Sequence, residues 1–517
     1  MQFTFANLAS YVEKGWVENA LLQHQYFPNV RSDRTELPPF FSSASFSPAI
    51  AAQLRVQPPT AAPVLEFRSR RYDGLIRTMG IPHPVPYARL VDHVVENWVK
   101  LSNFLHSDQS MVKPDGWPYR DRIVVMDYES TESRMHRDTV QAQGSRFVVR
   151  ADVANCFPSI YSHAIDWALR GKAVAKKDKV KSSWEPKLDE LLRNCHDRET
   201  KGAMIGPVIS NIAAEVILQR VDADLVAAGF EFTRYVDDFT SYHVTLEEAE
   251  RFVAQLDRSL AHYRLQLNTR KTRISSLAED SDSDWITEVL MALPRKKRAG
   301  AVESLRFLRH CEASARRHPQ RSVLTFGIKT LLGKRGCPQV GVDSKRAPNP
   351  TVDLAILDEL FRLTFLYPHL IPYATRQLAY CSELLSKAER ERLAHNLRVV
   401  LAQAATRRET STICWGIYAI RKILKRSVVK NLAMALIETD DDLVWLALAA
   451  SGKKYVPWVL GRMSSLIANG AHECLDHWLM RYELYRIKEL KSHQLDNSVE
   501  SWFVKARPAG LRFSILE

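Results

Sequence analysis

Between residues 146 and 276 the chain alternates short apolar/polar runs of period two with longer stretches of helical spacing. Phe147-Val148-Val149-Arg150-Ala151-Asp152 predicts a strand, and 161–170 predicts a helix. Ile212, Val216, Val221 and Leu225 lie near helical spacing and predict a helix over 210–227, with Gly229 as its stop. Alternation in 230–234 and 239–244, on either side of Tyr235-Val236-Asp237-Asp238, predicts a β-hairpin with two carboxylates at its tip. Thr245-Leu246-Glu247-Glu248 reads as a capping box opening a helix to about residue 263, and 264–267 predicts a last strand. The second helix aside, the order is β-α-β-β-α-β, the split βαβ arrangement, in which the first strand can lie beside the hairpin and Asp152 can face Asp237.

The flanks read differently. An amphipathic helix is expected around 8–22, followed by Pro/Ser-rich extended paths at 37–43 and 57–60. The prolines of Ile81-Pro82-His83-Pro84-Val85-Pro86-Tyr87 enforce an extended entry, so a helix through Trp98 is expected to start only after Pro86. Basic Arg295-Lys296-Lys297-Arg298 marks a linker or a phosphate-facing loop, and 333–350 is a further break. Helices are then expected at 354–366, 374–385, 388–404, 411–424, 429–437 and 443–450. Stacked helix pairs of HEAT-like kind are one way to pack them, although no clean repeat period is present. The expected fold class is α+β followed by a large all-α part. The expected divisions are an N-terminal extension at 1–65, an α+β unit at 66–284 and a helical domain at 285–517.

Charge narrows the partners. A net +13 favours a polyanion, nucleic acid or nucleotide. The seven cysteines form no CxxC pair, which argues against a zinc site or a disulfide framework and fits a reducing compartment. The N-terminal residues lack a signal-peptide pattern, and the longest apolar run, 443–450, is too short to span a bilayer. The chain therefore reads as a soluble intracellular protein.

Adjacent carboxylates repel unless a cation neutralises them, so the hairpin tip is a candidate Mg²⁺ site. Alone, Asp-Asp in a turn is more often a solvated turn, and Asp152 alone a helix cap or loop acid. Together, Asp152, Asp237 and Asp238 offer the hard oxygen ligands that Mg²⁺ takes beside substrate phosphates. Two such ions about 3.5–4 Å apart are what nucleotidyl transfer needs.

Here the sequence resembles a known family. Asp152-Val153-Ala154-Asn155-Cys156-Phe157 is similar to the first catalytic motif of reverse transcriptases, and Gly202-Ala203-Met204-Ile205-Gly206-Pro207-Val208-Ile209-Ser210 to their glycine-rich second motif. Tyr235-Val236-Asp237-Asp238 matches the third, and Leu265-Gln266-Leu267-Asn268-Thr269-Arg270-Lys271-Thr272 resembles the fourth, all in the family's order. The resemblance implies polymerase fingers and palm, with Asp152, Asp237 and Asp238 catalytic. It implies Mg²⁺ or Mn²⁺ at Asp152, Val153, Asp237 and Asp238. Phe157 would exclude a 2′-hydroxyl by a built-in clash. Gly206 and Pro207 would shape the turn into the second helix, Ser210 would contact template or nucleotide, and Lys271 would lie near the pyrophosphate. Arg71, Arg77, Arg146 and Arg150 are candidates for gripping triphosphate oxygens.

The departures point to a subgroup. Most reverse transcriptases carry Pro-Gln-Gly in the second motif, where this chain has Met204-Ile205-Gly206. The stretch 206–215, Ile81-Pro82-His83-Pro84 with Tyr87 and Trp98, and the long helical C-terminal part resemble bacterial antiphage enzymes of the abortive-infection, AbiK-like type. That resemblance implies phage defence, a cytoplasmic bacterial homo-oligomer, deoxynucleotide substrates, and single-stranded DNA product or RNA as partner. It also implies untemplated synthesis from a tyrosine, for which Tyr367, Tyr373, Tyr418, Tyr455, Tyr482 and Tyr485 are undistinguished candidates. A templated enzyme of the retron or intron kind and a catalytically silent RNA-binding scaffold are the alternatives.

Overall fold

The computed structural model describes residues 14–28, 36–112, 123, 131–178, 180, 182–279, 284–295, 299–335 and 347–516. Residues 1–13, which include the start of the expected first helix, lie outside them, as do Lys296, Lys297 and Arg298 of the basic run and 336–346 of the expected break.

A two-stranded hairpin, β1 (Leu65–Arg70) and β2 (Ile76–Ile81), precedes the sheet that carries the acids. That sheet is four-stranded and antiparallel. Its strands are β3 (Phe147–Asp152), β4 (Thr233–Tyr235), β5 (Asp238–His243) and β6 (Arg273–Ser276), in the order β4-β5-β3-β6. β3 is central, and its residues are buried on both faces except at Phe147 and Arg150. Register places Asp152 opposite Asp238 rather than Asp237. The hairpin tip is tighter than expected, because β4 and β5 come within two residues of each other. The edge strand also differs from expectation. Residues 265–267 make only an isolated bridge, Leu267 to Val153, and the true edge strand is β6. The physical reason is that the chain at 266–268 bonds to the end of β3, with Ala154 N–H donating to Gln266 O at 2.8 Å and Asn268 N–H to Asp152 O at 2.7 Å. It then turns and pairs along β3.

The helices follow from their end signals. Helix Val208–Ala227 begins directly after Pro207, and Gly229 leaves it with φ +85°. Helix Leu246–His262 has the expected capping box, with Thr245 and Glu248 satisfying each other's backbone N–H groups. Helix Pro84–Glu96 starts before the expected point, taking in both prolines. First-turn N–H groups have no intrahelical acceptor, so Pro84 and Pro86 cost nothing there.

From Asp284–Ala292 to Trp502–Ala506 the described chain is helical. The expected helices are present as Pro350–Leu366, Ile371–Tyr380, Lys387–Thr406, Thr410–Tyr418, Lys430–Ile437 and Asp442–Ser451. The fold is thus a mixed α+β part followed by a helical C-terminal region. The helical region packs against the N-terminal part. Arg70 pairs with buried Glu409 at 2.6 Å, Arg68 N–H donates to Thr410 Oγ1, and Ser411 and Trp415 donate to Glu36 O. Residues 40–45 are likewise bonded to 512–515. Among the described residues, no helix is long and apolar enough to cross a membrane.

Candidate active site

The tip of the β4–β5 hairpin is a strained turn. Val236, a β-branched residue, sits at φ +55°, a conformation that persists only when its surroundings over-determine it. Two bonds hold it. Val153 N–H donates to Asp237 O at 3.1 Å, and Arg234 Nη1 donates to Val236 O at 2.9 Å. Arg234 is itself fully buried between two acids of helix Val208–Ala227. Its fork donates to Asp222 at 2.6 to 3.0 Å and to Glu215 at 2.8 and 3.0 Å. The two acids lie seven residues, or two turns, apart and face the same way.

Asp152, Asp237 and Asp238 meet at the floor of a cavity of about 380 Å³. Asp152 accepts from Asn268 Nδ2 and from Lys271 Nζ, each at 2.8 Å. Burial and the Asp152 charge, incompletely offset by Arg77 and Lys271, raise the Asp237 pKa. Burial, then the charges of Asp237 and Asp152, push Asp238 up to about 7. Asp238 keeps accessible surface toward the cavity while protein surrounds it on the other sides. Lys271 loses hydration, which alone would lower its pKa, but the bond to Asp152 and the charges of Asp152 and Asp238 raise it overall. Among the described residues no three acids, histidines or cysteines are gathered as a finished metal cage. In this arrangement Lys271 supplies the neutralising cation for Asp152.

The facing wall is basic and comes from the β1–β2 hairpin, with Arg70, Arg71, Tyr72 and Arg77 lining the cavity. Phe157 and Gly206 also line it. Phe157 lies on the short helix Cys156–Ser159, entered through Asn155 at φ +45°. Gly206 has φ +147°, and a Cβ there would lie 2.9 Å from both Gly80 O and Pro28 Cγ. Gly206→Ala is therefore expected to cost about 2 kcal/mol or more, seen as a lowered thermal midpoint. Gly461→Ala, inside helix Val456–Ala468 where a Cβ meets nothing within 4 Å, serves as the control and should be unchanged or slightly raised; equal midpoints for the two variants would refute the packing argument.

Other expected residues lie elsewhere. Arg146 is exposed just before β3, at the end opposite Asp152, because the whole strand separates them; it does not reach the cavity. Arg150 shares the face of Asp152 two residues away but does not line the cavity. Ser210 is buried on the far side of its helix, in a small pocket with Leu90, Ile160 and Cys195. Pro207 caps the helix without reaching the cavity, and Val153 is buried with its N–H on Asp237. In the place expected for Ser210 the cavity has Val208 and Asn211.

Several lining residues carry no sequence signal. Gln25, Phe27 and Glu36 come from the N-terminal part, and Ser322, Thr325 and His369 from the helical region. Gln25 is held there because its carbonyl accepts Val208 N–H and its Oε1 accepts Ile123 N–H.

Residues 89–329 match the family model described as reverse transcriptase (RNA-dependent DNA polymerase). The matched span takes in all four strands of the acid-bearing sheet and the three acids, and leaves out the β1–β2 hairpin with its arginines. No curated protein matches the sequence. Among solved structures, apo telomerase from Candida tropicalis is similar over 80% of this chain and 67% of its own, at 11% identity and a TM-score of 0.31. The match covers a little under half of the chain, so residues 89–329 are similar to the reverse transcriptase family, a family that works on nucleotides and nucleic acids and generally uses divalent metal.

Proposed function

We propose that the chain is a DNA polymerase that joins deoxynucleotides by two-metal nucleotidyl transfer. The observation that carries this reading is the meeting of Asp152, Asp237 and Asp238 across a cavity from Arg70, Arg71 and Arg77. The donor set suits Mg²⁺, because it offers hard carboxylate oxygens, and burial followed by mutual repulsion already raises the pKa values of Asp237 and Asp238. Asp152, Asp237 and Asp238 would hold the metal, with the Val153 peptide group supporting Asp237. When bound, such ions activate a hydroxyl and hold a leaving pyrophosphate. Arg71 and Arg77 orient the triphosphate by charge-assisted hydrogen bonds. Lys271 exchanges its bond to Asp152 for one to substrate phosphate. Phe157 lines the cavity and would close the space beside the sugar, so Phe157→Val is expected to raise ribonucleotide use relative to deoxynucleotide use by about 10- to 100-fold. Single-nucleotide incorporation kinetics for both substrate classes measure it, and an unchanged ratio would remove Phe157 from that role.

The finer reading is a phage-defence enzyme that starts untemplated DNA on its own tyrosine, acting as a homo-oligomer. It rests on the resemblance of residues 206–215 and on the helical region. Among the six tyrosines, Tyr455 and Tyr482 are buried with their hydroxyls donated to Val428 O and Leu511 O, and Tyr373 and Tyr485 are buried as well. Tyr367 and Tyr418 keep surface, and Tyr367 lies two residues from the cavity-lining His369.

The test is incubation with Mg²⁺ and labelled deoxynucleotides, with and without a primed RNA template, beside Asp237→Ala. DNA made without template that shifts on protease treatment supports the finer reading. DNA made only on the template supports a conventional reverse transcriptase. Strand binding without synthesis in either condition would favour the silent scaffold.

A further inference from the structure

We propose that a basic patch beside the site, formed by Lys172, Lys176, Lys201 and Arg264 around Trp167 and Tyr161, seats the phosphates of a single nucleic-acid strand. This rests on the polymerase reading and places the strand outside the cavity, since none of these residues lines it.

Three chain segments build the patch. The Lys172 and Lys176 ammonium groups lie 4.5 and 5.7 Å from the Trp167 ring centre. Trp167 meets Tyr161 edge-on at 5.4 Å, and the Arg264 guanidinium lies 6.0 Å from the Tyr161 ring. Lys201 is joined to Tyr161 by a backbone bridge. The patch is also tied to the catalytic floor. Gly202 and Ala203 N–H groups donate to Ile160 O and Phe157 O, and Arg264 immediately precedes the 265–268 stretch that bonds to Ala154 and Asp152.

Among the described residues the patch lacks neutralising carboxylate partners: no carboxylate forms an ion pair with any of its four cations, and the Lys172 ammonium donates instead to His262 O at 2.9 Å. Adjacent Arg170, by contrast, is bound by both Asp166 and Asp178. Lys172 and Lys176 stand four residues apart on one short helix, Lys172–Lys177, where like charges are destabilising. Burial, then the charges of Lys176 and Arg264, hold the Lys172 amine below its ordinary range. Arg264 adds a backbone at φ +67°, unfavourable for a non-glycine residue. Like charges kept together at such cost are relieved by a polyanion. Trp167 is covered and only 7% exposed, so it supports ammonium groups and offers no face for base stacking. The contact is therefore with phosphate and tolerant of sequence. Delivery from three segments suits successive phosphates of a strand better than one compact triphosphate.

The experiment is fluorescence anisotropy of a labelled single-stranded oligodeoxynucleotide with the full chain across a salt series, comparing wild type, Lys172→Gln/Lys176→Gln and Arg264→Gln. The double variant is expected to bind about tenfold more weakly at low salt, with a salt slope shallower by about 1.4, since each lost phosphate contact removes about 0.7. Its thermal midpoint should change little, because relief of the repulsion offsets the lost ammonium contacts to His262 O and the Trp167 ring. Unaltered affinity and slope overturn the proposal, as does failure of the wild type to bind the strand. Displacement of the oligonucleotide by inorganic triphosphate at matched phosphate concentration also overturns it, by making the patch a triphosphate site. Asp237→Asn separates this from the polymerase reading. A variant that neither synthesises nor loses strand binding keeps the patch, whereas an active wild type whose binding ignores the patch charges removes the patch alone.

Discussion

Asp238→Asn is expected to reduce nucleotide incorporation by about 10³-fold or more while making the metal-free protein more stable at neutral pH. The two effects have one cause. Burial and the charges of Asp237 and Asp152 push Asp238 up to about 7, far above the ordinary carboxylate range. A carboxyl whose pKa is raised on folding contributes stability fully present below its unfolded pKa of about 4 and lost as pH rises through the folded value. The advantage of asparagine should therefore be absent near pH 4, grow with pH, and level off above about 7. Asp238 lies among neighbouring carboxylates, so the melting curves report the cluster rather than one residue. Thermal melts in EDTA across that range measure it. Added Mg²⁺ should then raise the wild-type midpoint much more than that of the variant, because a ligand stabilises only the state that binds it. A variant that melts below wild type in EDTA at about pH 8, or an equal Mg²⁺ response in both, would sink the assignment of the trio as a cation site.

Legibility in the sequence is local. The hairpin signal around Tyr235-Val236-Asp237-Asp238, the capping box at Thr245 and the stop at Gly229 depend on residues within a few positions of one another; all three features form, with the hairpin tip tighter and its first strand shorter than expected. Alternation misplaces the edge strand, because 265–267 has the strand-like pattern but spends its backbone bonds on 152–154. Competition of that kind is decided by tertiary pairing, which period alone does not encode. Lining residues split the same way. Arg71, Arg77, Phe157, Gly206 and Lys271 reach the cavity, whereas Arg146, a candidate by charge alone, falls at the wrong end of its strand. Ser210 fails by orientation, since one position along a helix turns a side chain by about 100°, and Asn211 faces the cavity in its place. Gln25, Glu36 and His369 come from segments far away in sequence, and nothing in their own neighbours marks them.

Arg234→Met should be the most damaging substitution away from the acids. It strips the cation from Glu215 and Asp222, which are 7% and 2% exposed, and leaves both buried without it. Losing one side of such a buried arrangement costs about 3–5 kcal/mol, to be seen in thermal and urea midpoints. Stability alone does not reveal why an arginine stands there, because a well-packed apolar replacement of the whole triad can be neutral or stabilising. The triple variant Arg234→Met/Glu215→Leu/Asp222→Leu is therefore the informative one. It is expected to regain much of the lost stability yet remain poor in kcat, with KM for the deoxynucleotide changing less. The reason lies at Val236, whose positive φ is held through the Arg234 Nη1 bond to its carbonyl. Without that bond the turn can relax, and the two carboxylates that follow it lose their register against Asp152. A triple variant with wild-type kcat would mean that the hairpin keeps its shape unaided and that the triad serves folding only. A stable triple variant with low kcat would show that a buried charge, costly to the fold, is retained because it aims the acids.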